Sequence, residues 1–184
     1  MAIIAARIDG RLVHGQVANL WTTKLGATRI MVVDEAASKS DIDKSGLRMA
    51  TPETVRLSVL DVATAANHIL NHKYDSQKVF IVAKRPETFL ALVEAGVPIK
   101  ELNVGNMSQT DKTRSITKSI NVVDEDIETF KKLDAHGVHL IAQMVPGDAA
   151  ADFMSLLKKR IGGVNNDCMV ANSDYNIIRR LSNS

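Results

Sequence analysis

Within eleven residues, the segment RIDGRLVHGQV (Arg7 to Val17) brings together side chains that can carry and stabilise a phosphoryl group. The imidazole of His14 is a nitrogen nucleophile when it is neutral. Arg11, three residues earlier, offers a planar set of N–H donors that matches phosphate oxygens. Asp9 can hold Arg11 or fix the tautomer of His14, and Gly15 lets a ligand approach the backbone closely. These residue types predict a histidine that accepts a phosphoryl group.

The same residues also permit a purely structural interpretation. A single histidine near the start of a helix is usually a capping or surface residue. Arg7 and Arg11 can pair with Asp9 as a solvated cluster, which typically contributes only about 0–1 kcal/mol to stability. The spacing within the segment does not decide between the two interpretations.

Two predicted elements position His14. The apolar run Ile3–Ala6 precedes the segment and predicts a strand, whereas Val17–Leu25 follows it with helical spacing. In open parallel sheets, functional loops gather at the carboxyl ends of the strands, and a helix start offers unpaired N–H groups that suit an anion. The loop that carries His14 is therefore expected at such an end.

The rest of the chain repeats this alternation of short apolar runs and longer amphipathic segments. It predicts an α/β protein with an open, mostly parallel sheet flanked by helices on both faces. The alternation in Arg114–Val123 favours a more exposed edge strand, and the pattern is compatible with one antiparallel edge strand. The further predicted strands are Arg29–Val33, Val55–Leu60, Val79–Ala83, Leu102–Val104 and Val138–Val145. The further predicted helices lie near Ser40–Met49, Val62–Leu70, Pro86–Ala95 and Glu125–Ala135.

The composition limits the class of protein. With 184 residues, 45% of them hydrophobic, the chain suits one globular domain, and a net charge of +2 gives no sign of a nucleic-acid surface. The single cysteine, Cys168, offers neither an internal disulfide framework nor a cysteine-rich metal site. No apolar run approaches the roughly 20 residues that span a bilayer, and no secretory pattern opens the chain, so we expect a cytoplasmic protein.

The domain organisation is predicted to be simple. One domain is expected over residues 1–162, with Ala149–Ile161 as its last helix. The polar, asparagine-rich residues 163–184 are expected to form a C-terminal tail of uncertain structure.

Other loops at strand ends supply candidates for the rim of the site. In NVGNM (Asn103–Met107), Gly105 provides either a tight turn or an anion-facing N–H group, and Asn106 and Met107 share its loop. Asp34 ends the second strand and belongs either to the rim or to a solvated loop. No metal site is predicted, because histidines such as His68 and His72, although spaced for a helix, have no third ligand.

The segment RIDGRLVHGQV, followed by Trp21, resembles the active-site signature of one family of transport proteins: the IIB subunits of the mannose/fructose/sorbose/N-acetylgalactosamine family of phosphoenolpyruvate-dependent sugar phosphotransferase systems. The similarity covers roughly residues 1–160. It continues through VVDEAA, VEAGVPIKELNVGNM, ITKSINVVDEDIETFKKLDAHGV and QMVP.

The resemblance implies that His14 receives a phosphoryl group on Nδ1 from a histidine of a IIA protein and delivers it to a sugar carried by the membrane subunits IIC and IID. Arg11 and Asp9 match family positions, whereas Gly10 stands where the family often has an acidic residue. The resemblance requires no cofactor, implies peripheral association with the membrane transporter, and is compatible with a homodimer. NVGNM resembles N-acetylgalactosamine-type proteins more than mannose-type ones, with mannose, fructose and sorbose remaining open.

An alternative function is an anion- or nucleotide-binding regulatory α/β module that forms no phosphoenzyme. The chain has neither a GxxxxGK[ST] loop nor a GxGxxG motif at a helix start, which counts against nucleotide binding. A non-enzymatic interaction protein that kept the fold is a third hypothesis.

Overall fold

A computed structural model describes residues 2–162. The first strand, β1, spans Ile3–Asp9, and a π-helix over Gln16–Trp21 continues directly into helix α1 over Thr22–Leu25. The remaining helices are α2 (Glu35–Lys39), α3 (Asp41–Ala50), α4 (Val62–Leu70), α5 (Pro86–Glu94), α6 (Asp124–Ala135) and α7 (Phe153–Gly162). The remaining strands are β2 (Arg29–Val33), β3 (Arg56–Leu60), β4 (Val79–Ala83), β5 (Glu101–Asn106), β6 (Arg114–Ser115), β7 (Asn121–Val122), β8 (His139–Ala142) and β9 (Ala151–Asp152).

Seven of these strands form one sheet in the order β3-β2-β4-β1-β5-β8-β9. All neighbouring pairs are parallel except β8 and β9. The predicted class is therefore confirmed: an open, mostly parallel sheet with one antiparallel edge strand.

Alternating side chains along the strands build a hydrophobic core on each face of the sheet. Phe89 of α5 and Phe130 of α6 lie in the larger core, whereas Val17 and Trp21 of the π-helix lie in the smaller one. The connection that follows β1 therefore covers one face, and those that follow its neighbours β4 and β5 cover the other. Ligands bind preferentially outside the carboxyl ends of neighbouring strands whose following connections cover opposite faces of the sheet.

Local signals explain several helix boundaries. The carboxylate of Asp34 accepts a hydrogen bond from the Ala37 backbone N–H at 2.8 Å, and Asp61 caps α4 in the same way through Thr64 at 2.7 Å. These bonds to Thr64 lower the pKa of Asp61. Gly96, with a φ of 94°, follows the end of α5.

The predicted edge strand over Arg114–Val123 is wrong in its position. That segment forms a separate two-stranded antiparallel ribbon of β6 and β7, and Ile116 and Ile120 within it are buried. The antiparallel edge strand is β9, which pairs with β8 and lies where the sequence predicted the start of a helix. This pairing is a tertiary contact and leaves no local signal in so short a strand.

The first strand is longer than predicted, since it continues from Ala6 through Arg7 to Asp9. Charged residues normally end an apolar run. Arg7 and Asp9 nevertheless continue the strand, because both are buried and pair with each other. The predicted tail, residues 163–184, lies outside the described residues. None of the helices within residues 2–162 has the length and apolar character needed to cross a membrane.

Candidate functional site at the carboxyl end of the first strand

The loop after β1 turns sharply to place His14 at the start of the π-helix. The Leu12 N–H donates to the Asp9 carbonyl at 2.9 Å, and Leu12 adopts a φ of 55°, which is unusual for a residue with a side chain. The Ala18 N–H donates to the His14 carbonyl at 2.8 Å, so helical hydrogen bonding begins at His14 itself. Gly10 joins the loop to β5 through its N–H, which donates to the Asn106 carbonyl at 2.9 Å.

The imidazole of His14 lies against the carboxylate of Asp9. Nε2 of His14 is 3.2 Å from Oδ1 of Asp9; the Asp9 side chain is fully buried, and that of His14 is 19% exposed. Nε2 itself is enclosed and is not aligned for a hydrogen bond, so the contact is an electrostatic approach. A carboxylate at this distance favours the tautomer with its proton on Nε2, which leaves the lone pair on Nδ1.

Arg7 holds Asp9 in place from inside the protein. The Nε and Nη2 atoms of Arg7 donate to Oδ2 of Asp9 at 3.2 and 2.9 Å. Nη1 donates to Oδ1 of Asn103 and to the Gln143 carbonyl, and Nη2 also donates to the Met144 carbonyl. These bonds occupy the five donors of a guanidinium group, so a fully buried cation is completely hydrogen-bonded.

The surroundings of Arg7 match a charged planar group, because they provide a carboxylate and an aromatic ring. Burial lowers the pKa of Arg7, and the charge of Asp9 opposes this shift. The ring of Trp21 stacks on the guanidinium group, with 4.9 Å between its centroid and Cζ, and the Trp21 N–H donates to the Met144 carbonyl at 3.2 Å. Asp9 and Arg7 thus form a rigid support for His14 rather than the solvated cluster of the structural interpretation.

Gly105 lies inside β5 and not in the turn that the sequence predicted. A Cβ atom added there would lie 2.0 Å from Cζ of Arg7, so the missing side chain makes room for the guanidinium group. The backbone of Gly105 has no positive φ. The requirement for glycine therefore comes from close packing and not from a turn or an anion-facing amide.

The substitution Gly105→Ala is expected to lower the free energy of unfolding by about 3 kcal/mol, at the upper end of typical overpacking costs. The methyl group would overlap the guanidinium group of Arg7 and displace it from Asp9. Chemical denaturation monitored by circular dichroism measures the change. Gly46→Ala in α3 is the matched control, because a Cβ there meets no atom within 4 Å. A Gly105→Ala variant as stable as this control would contradict the packing argument.

Arg11 lies on the outer side of the loop. Its backbone N–H donates to Oδ1 of Asp9 at 3.2 Å, its Nε is 3.8 Å from the same oxygen, and its side chain is 48% exposed. Gly15 is exposed beside His14, and a Cβ added there would meet no atom within 4 Å. The outer side of the histidine loop is therefore cationic and sterically open.

The remaining predicted rim residues lie at different distances from the loop. Asn106 ends β5 and contacts the loop through Gly10. Met107 follows β5, is buried in the larger core, and also lines a cavity beside Gly10. Asp34 lies two strands away from β1, caps α2, and forms an ion pair with Lys84 at 3.1 Å. Of the three, Asn106 is the one hydrogen-bonded to Gly10 of the histidine loop.

Sequence reasoning missed the central position of Arg7 and its partners. Period-two alternation in a strand would have placed Arg7 and Asp9 on one face, which was the available signal. The carbonyl groups of Gln143 and Met144 gave no signal, because they come from a loop more than a hundred residues away. Trp21 itself is buried and packs against the guanidinium group of Arg7.

No group of three or more histidine, cysteine, aspartate or glutamate side chains within residues 2–162 is arranged to hold a metal ion. His68 contacts the hydroxyl group of Tyr74 at 3.1 Å, and His72 pairs with Asp75 at 2.9 Å. These two histidines therefore make separate local contacts on and after α4.

Comparison with known proteins assigns this fold and loop to a family. The chain matches the family model described as PTS system sorbose subfamily IIB component over residues 3–167. The fructose-specific EIIB component of the PTS of Bacillus subtilis (strain 168) is 35% identical over 158 residues, covering 86% of this chain and 97% of that protein. The mannose-specific EIIAB component of Escherichia coli (strain K12) is 36% identical over 159 residues, covering 86% of this chain and 49% of that protein.

A solved structure agrees with these relatives. The IIBSor domain of the sorbose permease from Klebsiella pneumoniae matches with a TM-score of 0.83 and 30% identity, covering 86% of this chain and 98% of that one. The chain therefore belongs to the sorbose subfamily of IIB components of the sugar phosphotransferase system, as its resemblance implied. It is an EIIB component of sugar transport within the sorbose and mannose group.

Proposed function

We propose that this chain is a phosphocarrier that accepts a phosphoryl group on His14 from a IIA protein and transfers it to a sugar during uptake. One observation carries the proposal: a partly exposed imidazole lies 3.2 Å from a buried carboxylate that Arg7 fixes. The donor set of Arg11 belongs to the same loop. This arrangement orients the histidine and leaves its outer side accessible.

The chemistry consists of two displacements at phosphorus. In the first, Nδ1 of His14 bonds to phosphorus while the N–P bond of the donor phosphohistidine breaks, and the electron pair of that bond stays on the donor imidazole, which leaves neutral. In the second, a sugar hydroxyl oxygen bonds to phosphorus, the bond to Nδ1 breaks, and the hydroxyl proton passes to solvent. Positioning and charge stabilisation provide most of the catalysis in such transfers.

Each residue of the loop has a distinct role in this proposal. His14 is the nucleophile, and Asp9 keeps the proton on Nε2 so that Nδ1 attacks. Arg11 stabilises the charge of the phosphoryl group through its guanidinium donors. Gly15 leaves space beside the ring for the phosphoryl group and its donor. No step draws on a cofactor.

The partners in this proposal follow from the family. The IIA donor is supported by the EIIAB name of the Escherichia coli relative, in which one protein carries both components. The membrane subunits IIC and IID would present the sugar, with this chain bound peripherally on the cytoplasmic side, and a homodimer remains compatible. The relatives are named for fructose, mannose, sorbose and N-acetylgalactosamine, so their names do not select one of these sugars. The preference for N-acetylgalactosamine rests on NVGNM alone.

The proposal is tested by incubating the chain with the general phosphotransferase proteins, its IIA protein and labelled phosphoenolpyruvate. An acid-labile label that depends on IIA supports a phosphocarrier. Nucleotide binding without label would favour the regulatory module instead. If neither labelling nor nucleotide binding were observed, the hypothesis of a non-enzymatic interaction protein would be favoured.

The substitution Arg11→Ala is expected to slow both phosphoryl transfers by about 10²-fold, the order seen when one stabilising donor is removed. The fold should remain intact, because the Arg11 side chain is half exposed. Rapid-quench measurement of label transfer from IIA, and then to sugar, gives the two rates. Lys39→Ala is a control, since this lysine is 77% exposed and lies on α2. Transfer from IIA at the normal rate in Arg11→Ala would contradict the role of Arg11.

A further inference from the structure

A cavity of about 260 Å³ adjoins the histidine loop at the carboxyl edge of the sheet. Gly10 of the loop forms one wall, and the segment after β5 forms another through Ser108 and Thr113. Asn121 of β7 and Asp126 of α6 also contribute polar groups to its lining. The volume lies just below the roughly 300–1,000 Å³ of pockets for larger ligands, which suits a compound of the size of one sugar ring.

The charges around this cavity are already neutralised. Lys84 pairs with Asp34 at 3.1 Å, and Arg85 pairs with Asp126 at 3.3 Å and with Glu87. The two cations of the lining therefore already pair with carboxylates. This pairing disfavours an anionic ligand in the cavity. An uncharged ligand with several hydroxyl groups fits this balance better.

Two polar side chains in the lining retain hydrogen-bonding capacity. Asn121 is buried and donates through its amide to the Met107 carbonyl at 3.0 Å, whereas its Oδ1 accepts no bond within the described chain. Ser108 is exposed, and its hydroxyl group forms no hydrogen bond with another residue of the described range 2–162. Oδ1 of Asn121 can accept a hydrogen bond from a sugar hydroxyl, and the hydroxyl group of Ser108 can donate or accept one.

Gly10 borders the cavity on the side of the histidine loop. Its φ lies outside the left-handed region, so its backbone does not require glycine. A Cβ there would lie 3.5 Å from the hydroxyl of Ser108 and 3.6 Å from Oδ1 of Asn106, at ordinary contact distances. A longer side chain would therefore be accommodated by the backbone but would extend along the cavity wall beside Ser108.

We propose that this cavity is a sugar subsite, which binds hydroxyl groups of the monosaccharide other than the one that receives the phosphoryl group. The inference rests on the proposed function, because it places the sugar next to the loop that carries His14. It means that this chain, and not only the membrane subunits, contributes to the choice of sugar. Binding here would orient the accepting hydroxyl toward the phosphorylated imidazole.

Two substitutions of Ser108 test the subsite. Ser108→Ala removes one hydroxyl group and is expected to raise the KM for sugar about threefold, the effect of one neutral hydrogen bond. Ser108→Leu places a larger side chain at the cavity and is expected to raise the KM for sugar about tenfold or more. Membrane vesicles from the source cells, with N-acetylgalactosamine, mannose, fructose and sorbose as separate probes, give the KM for whichever sugar is phosphorylated. Ser155→Ala, at an exposed serine of α7, is the matched control.

A second measurement separates the subsite from the docking surface for IIA. The rate at which IIA phosphorylates each variant should change by less than about twofold, and the melting temperatures should match that of the parent. Equal slowing of the IIA step would assign the cavity to IIA docking and overturn the subsite. An unchanged sugar KM in both Ser108 variants would also overturn it. A parent chain that takes up no label would instead refute the phosphocarrier function, and the subsite with it.

Discussion

Replacing Arg7 by methionine is expected to lower the free energy of unfolding by about 3–5 kcal/mol, because the change leaves the buried carboxylate of Asp9 without its cation. The same substitution removes donors from Asn103 and from the Gln143 and Met144 carbonyls. Buried acceptors that lose their donors each contribute a further penalty. Arg7 is therefore the residue of this site on which the fold depends most.

Denaturant titration of Arg7→Met measures this loss. Arg11→Met is the matched control, since its side chain is 48% exposed, and it should change the stability by less than about 1 kcal/mol. The double variant Arg7→Met with Asp9→Leu removes both buried charges and should recover part of the stability without recovering phosphoryl transfer. If Arg7→Met were as stable as Arg11→Met, the buried ion pair would not support the loop.

Replacing His14 by alanine is expected to reduce phosphoryl acceptance by about 10³-fold or more, because no other group in the loop can replace the nucleophile. The fold should persist, since the ring lies in a surface loop and is 19% exposed. Labelling by IIA measures acceptance, and thermal unfolding confirms the fold.

His139→Ala is the matched control for this loss. His139 lies on β8 with 61% of its side chain exposed, and its substitution should leave labelling unchanged. Residual labelling of His14→Ala at the parental rate would place the phosphoryl group on another residue. A His14→Ala variant that failed to fold would be replaced by His14→Gln, which retains a polar side chain at this position.

The sequence was most informative where local pattern and tertiary structure agree. The strands Arg29–Val33 and Val79–Ala83 and the helix Val62–Leu70 have the predicted boundaries, because apolar runs and capping residues define them locally. The position of His14 between a strand and a helix was also predicted from the order of elements.

The support of the site could not be predicted from the same patterns. Arg7 is buried because Asn103, Gln143 and Met144 approach it from positions 96 to 137 residues away. In the sequence, Gly105 resembled a turn residue. Glycine is required there because a side chain would occupy the space of the Arg7 guanidinium group, and this contact is not visible in the local sequence. The edge strand was misplaced because the β8–β9 pairing depends on distant residues.

Direct observation of the phosphorylated chain tests the central claim best. The parent protein, labelled with ¹⁵N at histidine and phosphorylated through IIA, is examined by ³¹P and ¹⁵N NMR. We predict one phosphohistidine whose phosphorus is bonded to Nδ1 of His14, with Nε2 still protonated and facing Asp9. A phosphorus bonded to Nε2, or to any residue other than His14, would contradict the account.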